Sequence, residues 1–315
     1  MNNIPSKAQT GPSLVPVAEN VYAWIGVNGD SNAGVVTTPQ GLIVIDAQQT
    51  EAQGRTFRQT IEETFGKPVI RLVNSHFHLD HIAGNIAFDD VPILAHERTG
   101  RILREMLGEE PAGGWQISDA VTKLKLFFGS NIEELLASDG AGVEWFMRRV
   151  SGPGYDTMTV RAPTESFADK FVFDISDDEL RCEYWGPAHC DGDLIIHLPN
   201  SGVVFLGDLL FVGRFPWFGD CDLGGWVKRL DQVLQMDVKT VIPGHGQPST
   251  LQEVAAFRAL LAATYDAVRE TVEAGLSEDA AVAKVFLPQY ASMPRYDAWM
   301  PFNVRATYRA LRGDG

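Results

Sequence analysis

The chain has 315 residues, with 26 Lys plus Arg against 41 Asp plus Glu, for a formal charge of -15. That balance argues against nucleic acid and anionic membrane surfaces, which need clustered basic side chains to displace counterions. Hydrophobic residues make up 45% and charged residues 21%, which excludes disordered and fibrous classes and leaves ample material for a core.

In chain order, residues 1–16 are polar and punctuated by proline, and read as a loose arm. Short β-like segments follow at 21–27, 33–38 and 42–46, the last two joined by the turn-forming Thr38-Pro39-Gln40-Gly41. Residues 50–65 have helical spacing (Phe57, Ile61, Phe65) and stop at Gly66-Lys67-Pro68. An apolar strand at 69–74, a short helix, a strand at 92–95 and a helix at 97–107 come next. Residues 108–165 break the rhythm with paired glycines, a helix near 131–138, and aromatics at Trp115, Phe127, Phe128, Trp145, Phe146 and Tyr155. Strands resume at 171–175, 180–185, 194–198 and 203–206. A helix at 225–235, a strand at 240–243 and a largely helical stretch from 250 to 311 complete the chain. Alternating strands and helices imply an α/β fold with a buried, mostly parallel or mixed sheet. The expectation is one domain over 1–315, in which 108–165 is a mostly helical insertion capping the active site.

Three cysteines, Cys182, Cys190 and Cys221, cannot all pair with one another and show no C-x-x-C spacing, so a disulfide framework is not expected. Met1-Asn2-Asn3-Ile4-Pro5-Ser6-Lys7 has no apolar run behind its charge, and apolar stretches are interrupted well short of a membrane span. A soluble cytoplasmic protein is the resulting expectation.

The seven histidines carry the chemistry. Five lie in three short loops after apolar strands: His76-Phe77-His78-Leu79-Asp80-His81, His189 in Gly186-Pro187-Ala188-His189-Cys190, and His245 in Pro243-Gly244-His245-Gly246. A fourth loop adds Asp208 in Gly207-Asp208. In an extended segment residues 76, 78 and 80 point the same way, and His81 turns to a second centre as a helix starts. Imidazole together with carboxylate suits zinc and other borderline divalent ions. Each piece alone has a plain structural explanation as a surface loop, a turn or a helix cap; four in one chain, holding nearly all its histidine, do not.

The order His-x-His-x-Asp-His, lone His, Gly-Asp and Gly-His-Gly resembles the metallo-β-lactamase-fold hydrolase superfamily over residues 20–110 and 165–250. The resemblance implies an αββα four-layer sandwich and a dinuclear site. His76, His78 and His189 would hold one divalent ion and Asp80, His81 and His245 the other, with Asp208 bridging. Zinc is the expected metal, with iron or manganese as alternatives. His78 in place of Glu departs from the di-iron flavoprotein branch, and the presence of Asp208 departs from the true β-lactamases. Ala95-His96-Glu97-Arg98-Thr99, Gly207-Asp208-Leu209-Leu210-Phe211 and Asn303-Val304-Arg305-Ala306-Thr307-Tyr308 resemble bacterial hydrolases related to polyketide cyclase/thioesterase proteins. Phe211 stands where quorum-quenching lactonases usually place Tyr, and the basic glutathione-binding segment of glyoxalase II is absent.

What this implies is a hydrolase in which a metal-bridging hydroxide, formed because two ions lower a water's pKa from about 15.7 to about 7, cleaves an ester-like bond. A hydrophobic thioester or lactone leads as substrate, with Asp80 and Asp208 as catalytic residues. β-Lactam hydrolysis, a mononuclear iron persulfide dioxygenase and a non-catalytic binding protein are the alternatives. Phe211, Arg214, Trp217 and Phe218 are candidates for a substrate cleft. Asp46, after Leu42-Ile43-Val44-Ile45, either supports a ligand imidazole or caps the helix at 50–65. Asp193 stands similarly near His189, Cys190 reads as a buried filler, and His96 and His197 read as structural. The partner is a small-molecule substrate, with a homo-oligomer left open.

Overall fold

A computed structural model describes residues 11–129, 132, 147–148, 150–176 and 178–313. Apart from Ile132, the helix expected near 131–138 lies outside the described residues, as do Trp145 and Phe146.

Two sheets face each other. The first has seven strands in the order β1 (Ser13–Ala18), β2 (Val21–Ile25), β3 (Ala33–Thr37), β4 (Leu42–Ile45), β5 (Val69–Val73), β6 (Ile93–His96) and β9 (Glu165–Phe167). Pairing is antiparallel through β4 and parallel from β4 to β9. The second runs β10 (Lys170–Asp174), β11 (Glu179–Tyr184), β12 (Leu194–Leu198), β13 (Val203–Phe211) and β14 (Thr240–His245), and only β13–β14 is parallel.

Side-chain alternation builds the layers. In β4, Ile43 and Ile45 face the second sheet and meet Phe205, Ile196 and Ile242, whereas Leu42 and Val44 face Phe57 and Ile61 of α1 (Glu51–Phe65). In β13, Val203 and Phe205 join the inter-sheet core, and Val204 and Leu206 face outward. There they share a core with Leu230 of α5 (Leu223–Val233), Leu261 of α6 (Leu251–Glu273) and Trp299 of α8 (Tyr296–Arg312). The result is the expected α/β/β/α sandwich. Helix α1 shows the local logic: Thr50 caps it through Gln53 N, Phe57 and Ile61 share its buried face, and Gly66 ends it in the left-handed region at φ 61°. Each of those two apolar side chains contributes about 1.5–3 kcal/mol by leaving water.

Three expectations change. The arm ends by residue 12, because Ser13–Ala18 pairs antiparallel with β2 as an edge strand; its Leu14, Val15 and Val17 are only half-buried, too weak a pattern to read beside Pro12 and Pro16. The strand expected at 203–206 continues to Phe211, with all nine residues buried, so Asp208 lies within it rather than in a loop. Residues 108–165 contain α4 (Ala120–Phe128) and also an antiparallel pair, β7 (Trp115–Ile117) and β8 (Met158–Val160), too short to show alternation. Among the described residues no helix is long and apolar enough to cross a membrane.

Candidate metal centre

Strand β5 delivers the first motif. Asn74 and Asn85 exchange side-chain hydrogen bonds at 2.9 Å, tying the strand end to the 3-10 turn Ala83–Phe88. The backbone stays extended only to His78, the N-cap of the short helix α2 (Leu79–Ile82). Asp80 and His81 are therefore helical, and the alternation expected for 76, 78 and 80 stops at 78. The helical turn separates the motif into two sets of donors.

His189 comes from the loop between β11 and β12. Asp193 fastens that loop by accepting from Cys190 N at 2.8 Å and from the Cys190 thiol at 3.2 Å. Burial pushes Asp193 up to about 7 and drives the Cys190 thiol well above its ordinary value. Cys190 is thus a buried packing residue outside both donor groups. Asp208 sits where the β13–β14 register shifts between Gly207 and Phe211, a bulge that re-aims its side chain. A Cβ at Gly244 would collide with Asp208 Oδ1, so the strand carrying His245 needs glycine there.

Two buried groups result: His76, His78, His189 and Asp208, and Asp80, His81 and His245. Asp208 stands between them. Its Oδ1 is 3.2 Å from His81 Nε2 and 3.4 Å from His245 Nε2; its Oδ2 is 3.5 Å from His189 Nε2 and 4.0 Å from His76 Nε2. His245 Nε2 is 3.2 Å from Asp80 Oδ2, and His78 Nδ1 is 3.0 Å from His189 Nε2. His76 Nε2, His81 Nε2, His245 Nε2 and Asp208 Oδ1 are buried yet make no hydrogen bond. Orphaned polar atoms at such depth are costly without a partner. Metal–donor bonds of about 2.0–2.2 Å in a tetrahedral array put neighbouring donors about 3.3–3.6 Å apart, close to most of these spacings. The nitrogen and oxygen donors fit divalent ions in number, depth and spacing.

The outer hydrogen bonds orient the rings. Asp46 accepts from Ser75 N at 2.7 Å, Ser75 Oγ at 2.7 Å and His81 Nδ1 at 2.9 Å. Ser75 Oγ in turn lies 3.0 Å from His76 Nδ1. One carboxylate thus fixes a ring in each group and turns both Nε2 atoms inward. Since Thr50 caps α1, Asp46 holds the His81 ring rather than capping the helix, and it adopts left-handed backbone at φ 60° to do so. His245 Nδ1 lies 3.1 Å from the Asp30 carbonyl, and Asn32 Nδ2 donates to the carbonyls of Pro243 and Gly246 at 2.8 Å. Ser75, Asp30 and Asn32 carry no sequence signal that would have singled them out.

Charge divides the groups. Burial lowers His76 and His78 and takes His189 to about 3, so these rings are neutral. His81 goes the other way: against its burial, the carboxylates of Asp208, Asp46 and Asp80 hold it well above its usual value. Against their own burial, Asp80 and Asp208 are held below the carboxylate range by His81 and His245.

The family model for the metallo-beta-lactamase superfamily matches residues 26–245. The chain belongs to that superfamily. Relatives of it include a linear primary-alkylsulfatase from a Pseudomonas species, 22% identical over 295 residues, covering 89% of this chain and 55% of the relative. A metallo-beta-lactamase type 2 from a Bacillus species is 28% identical over 261 residues, covering 78% and 81%. The solved structure of an inverting sec-alkylsulfatase from Pseudomonas shares the fold at TM-score 0.67 and 17% identity, covering 95% of this chain and 50% of that one. The chain spans about half the length of the two alkylsulfatases. The superfamily comprises hydrolases and related enzymes that typically bind divalent metals.

Above these donors lies a cavity of about 540 Å³, with His78, Asp80, His189 and Asp208 in its lining. Phe211, Arg214 and Trp217 are in the lining too, and Phe211 stacks on the His245 ring (centroids 5.4 Å apart, 9° between planes). Phe218 does not line it. It is fully buried in the core against Phe215 and Trp226, because Asn303 accepts from its backbone N–H and turns the loop inward. From 108–165, Phe127, Phe128, Arg148 and Tyr155 reach the cavity. Arg295 and Trp299 also line it, and the sequence reading missed both inside a plain helical stretch. His96 is structural: its Nε2 lies 2.6 Å from the Ala168 carbonyl and its ring stacks on Tyr184. His197, expected to be a satisfied core residue, is only half-buried and its Nε2 has no hydrogen bond.

Proposed function

We propose that this chain is a metal-dependent hydrolase that cleaves an ester-like bond, thioester or lactone, in a small hydrophobic substrate. His76, His78 and His189 hold one divalent ion, Asp80, His81 and His245 a second, and Asp208 lies between them; zinc is the favoured metal. The observation that carries this reading is the set of buried, unbonded nitrogen and oxygen donors on the floor of an open cavity. Ions bound there supply Lewis acidity and a water acidic enough to lose its proton near neutral pH.

The chain's own residues do the rest. Asp80 and Asp208 are held ionised and accept hydrogen bonds from a water or a leaving group above them. Asp46 and the Asp30 carbonyl keep the rings of His81 and His245 aimed inward. Phe211, Trp217, Phe127, Phe128 and Tyr155 cover the cavity as a cap, excluding water from the apolar part of the substrate.

Metal analysis combined with a panel of thioesters, lactones and β-lactams tests the reading. Two zinc per chain and oxygen-independent turnover of a thioester or lactone support it. One iron with oxygen consumption overturns it, and turnover of β-lactams alone replaces the substrate class.

A further inference from the structure

Each of the two facing sheets ends in two edge strands, and an open edge offers its backbone N–H and C=O groups to a further strand. Three of these four edges are poor templates. β1 contains Pro16 and a register shift, β14 contains Pro243, and β9 is only three residues long. β10 differs from them. It has five residues, Lys170-Phe171-Val172-Phe173-Asp174, no proline, and an unbroken register with β11. Among the described residues no strand pairs with its other side.

Two flanking hydrogen bonds show which backbone groups face the open side. Tyr184 N donates to the Asp169 carbonyl at 2.9 Å, and Ile175 N to the Asp178 carbonyl at 3.1 Å. Antiparallel partners exchange both bonds at every second residue, so residues 169, 171, 173 and 175 bond β11. Lys170, Val172 and Asp174 therefore turn their N–H and C=O groups outward. The side chains of these three residues are exposed on the outer face of the sheet. Phe171 and Phe173 point to the inter-sheet core, yet they stay half-buried at its rim, with ring centroids 4.7 Å apart.

We propose that β10 pairs antiparallel with β10 of a second copy of this chain, Val172 against Val172 on a two-fold axis, joining the two five-stranded sheets edge to edge. The strand is self-complementary in that register. Lys170 meets the partner's Asp174 and Asp174 meets the partner's Lys170, so charge is matched at both ends. All three outward-facing residues fall at hydrogen-bonded positions, and Phe171 meets the partner's Phe173 at the closer, non-hydrogen-bonded positions, where aromatic cross-strand pairs are favourable. Within one copy Asp174 stands opposite Glu179, a like-charge pair that the partner's lysine offsets. Lys170 Nζ already lies 3.0 Å from Glu183 Oε1, which holds it on the same face. An in-register parallel pair would set Lys170 beside Lys170, and a two-residue slip would set it opposite Val172, so charge selects one arrangement. One strand from each copy is a small contact, and the dimer should dissociate at about 10–100 µM.

Sedimentation velocity of the full chain over a wide concentration range tests the pairing, independently of the hydrolase reading. The mean mass of the wild type should rise from that of one chain toward that of two. K170D and D174K each put like charges at both ends of the contact and should weaken the dimer at least about tenfold. Mixing K170D with D174K restores opposite charges at both ends, and the mixture should pair more tightly than either variant alone, which misfolded chains would not do. V172P removes an outward-facing N–H and leaves the bonds to β11 in place. It should abolish the dimer while far-UV circular dichroism and metal content match the wild type, since β10 lies three strands from β13 and Asp208. A wild type that stays monomeric throughout overturns the proposal. So does a dimer indifferent to K170D, D174K and V172P, or a mixture no tighter than its components.

Discussion

The floor of the cavity and its mouth are built by different rules. On the floor, seven side chains come from the end of β5, the short helix α2, the β11–β12 loop, the β13 bulge and the end of β14, and Asp46, Ser75, the Asp30 carbonyl and Asp193 hold rings and loops from behind. At the mouth, Gly29, Phe127, Tyr155, Arg214 and Trp299 come from segments far apart in the chain and meet only through packing. Chemistry that needs donors held to a fraction of an ångström is placed on rigid elements with a supporting shell. A mouth that reads substrate shape is assembled from loops and a terminal helix.

Removing the group between the two donor sets should break the floor most severely. In D208A we expect metal content to fall from two ions to one per chain and hydrolysis to drop about a thousandfold or more, since several kcal/mol of transition-state stabilisation go with it. Two ions and full turnover in D208A would show that Asp208 does not bridge. D46N is the subtler break: asparagine tolerates the left-handed backbone but cannot accept from Ser75 and His81 with two charged oxygens. Competition with a chromogenic chelator should show metal affinity about ten- to a hundredfold weaker. An unchanged affinity would mean that the rings are held by packing alone.

This division also explains what could be read from the sequence. The candidate donors were legible because histidine is scarce in the chain and five of its seven copies fall in short motifs after apolar runs, with Asp208 and His245 beside glycine. The α/β class followed from strands alternating with helices, and the four-layer sandwich from the resemblance that the histidine motifs carry. Asp80 and His81 were assigned to the second centre, but the geometry behind that was misread, because the switch from extended to helical backbone at His78 is set by tertiary contacts such as Asn74–Asn85. Arg295 and Trp299 carry no local signal; their role depends on α8 docking beside the loop at 213–218. Phe218 shows the converse: it sits in an aromatic run that looked like cleft lining, yet one long-range hydrogen bond from its backbone N–H to Asn303 decides which way it faces.

N303A tests the mouth without touching the floor. Asn303 Nδ2 donates to the Pro216 carbonyl at 2.8 Å and its Oδ1 accepts from Phe218 N at 3.0 Å, all in buried surroundings. Losing both leaves a buried donor and acceptor unpaired, for a cost of about 2–3 kcal/mol. Denaturant unfolding should show that loss, and KM should rise while the chain still binds two metal ions. Loss of metal in N303A would mean that the two regions are not separable.

The smallest effect concerns the anchor of α8. Arg305 and Arg309 bond Glu278 of α7 (Glu278–Lys284) at 2.7–3.0 Å, and the hydrogen bond from Arg309, then that from Arg305, holds its carboxyl below the ordinary range. A depressed folded-state value means the unfolded chain binds the proton more readily, so this stability is present above the unfolded value of about 4.5 and is lost as pH falls below it. E278Q removes the titration, and for so partly exposed a pair the effect should be about 1 kcal/mol or less. The melting temperature of E278Q should lie below that of wild type at pH 7 and approach it at pH 3.5. The acid sensitivity of the buried histidines is common to both proteins and cancels in the difference. A gap that stays constant from pH 7 to pH 3.5 would show that Glu278 contributes by packing rather than by charge. In that case the mouth, unlike the floor, would owe its geometry to shape alone.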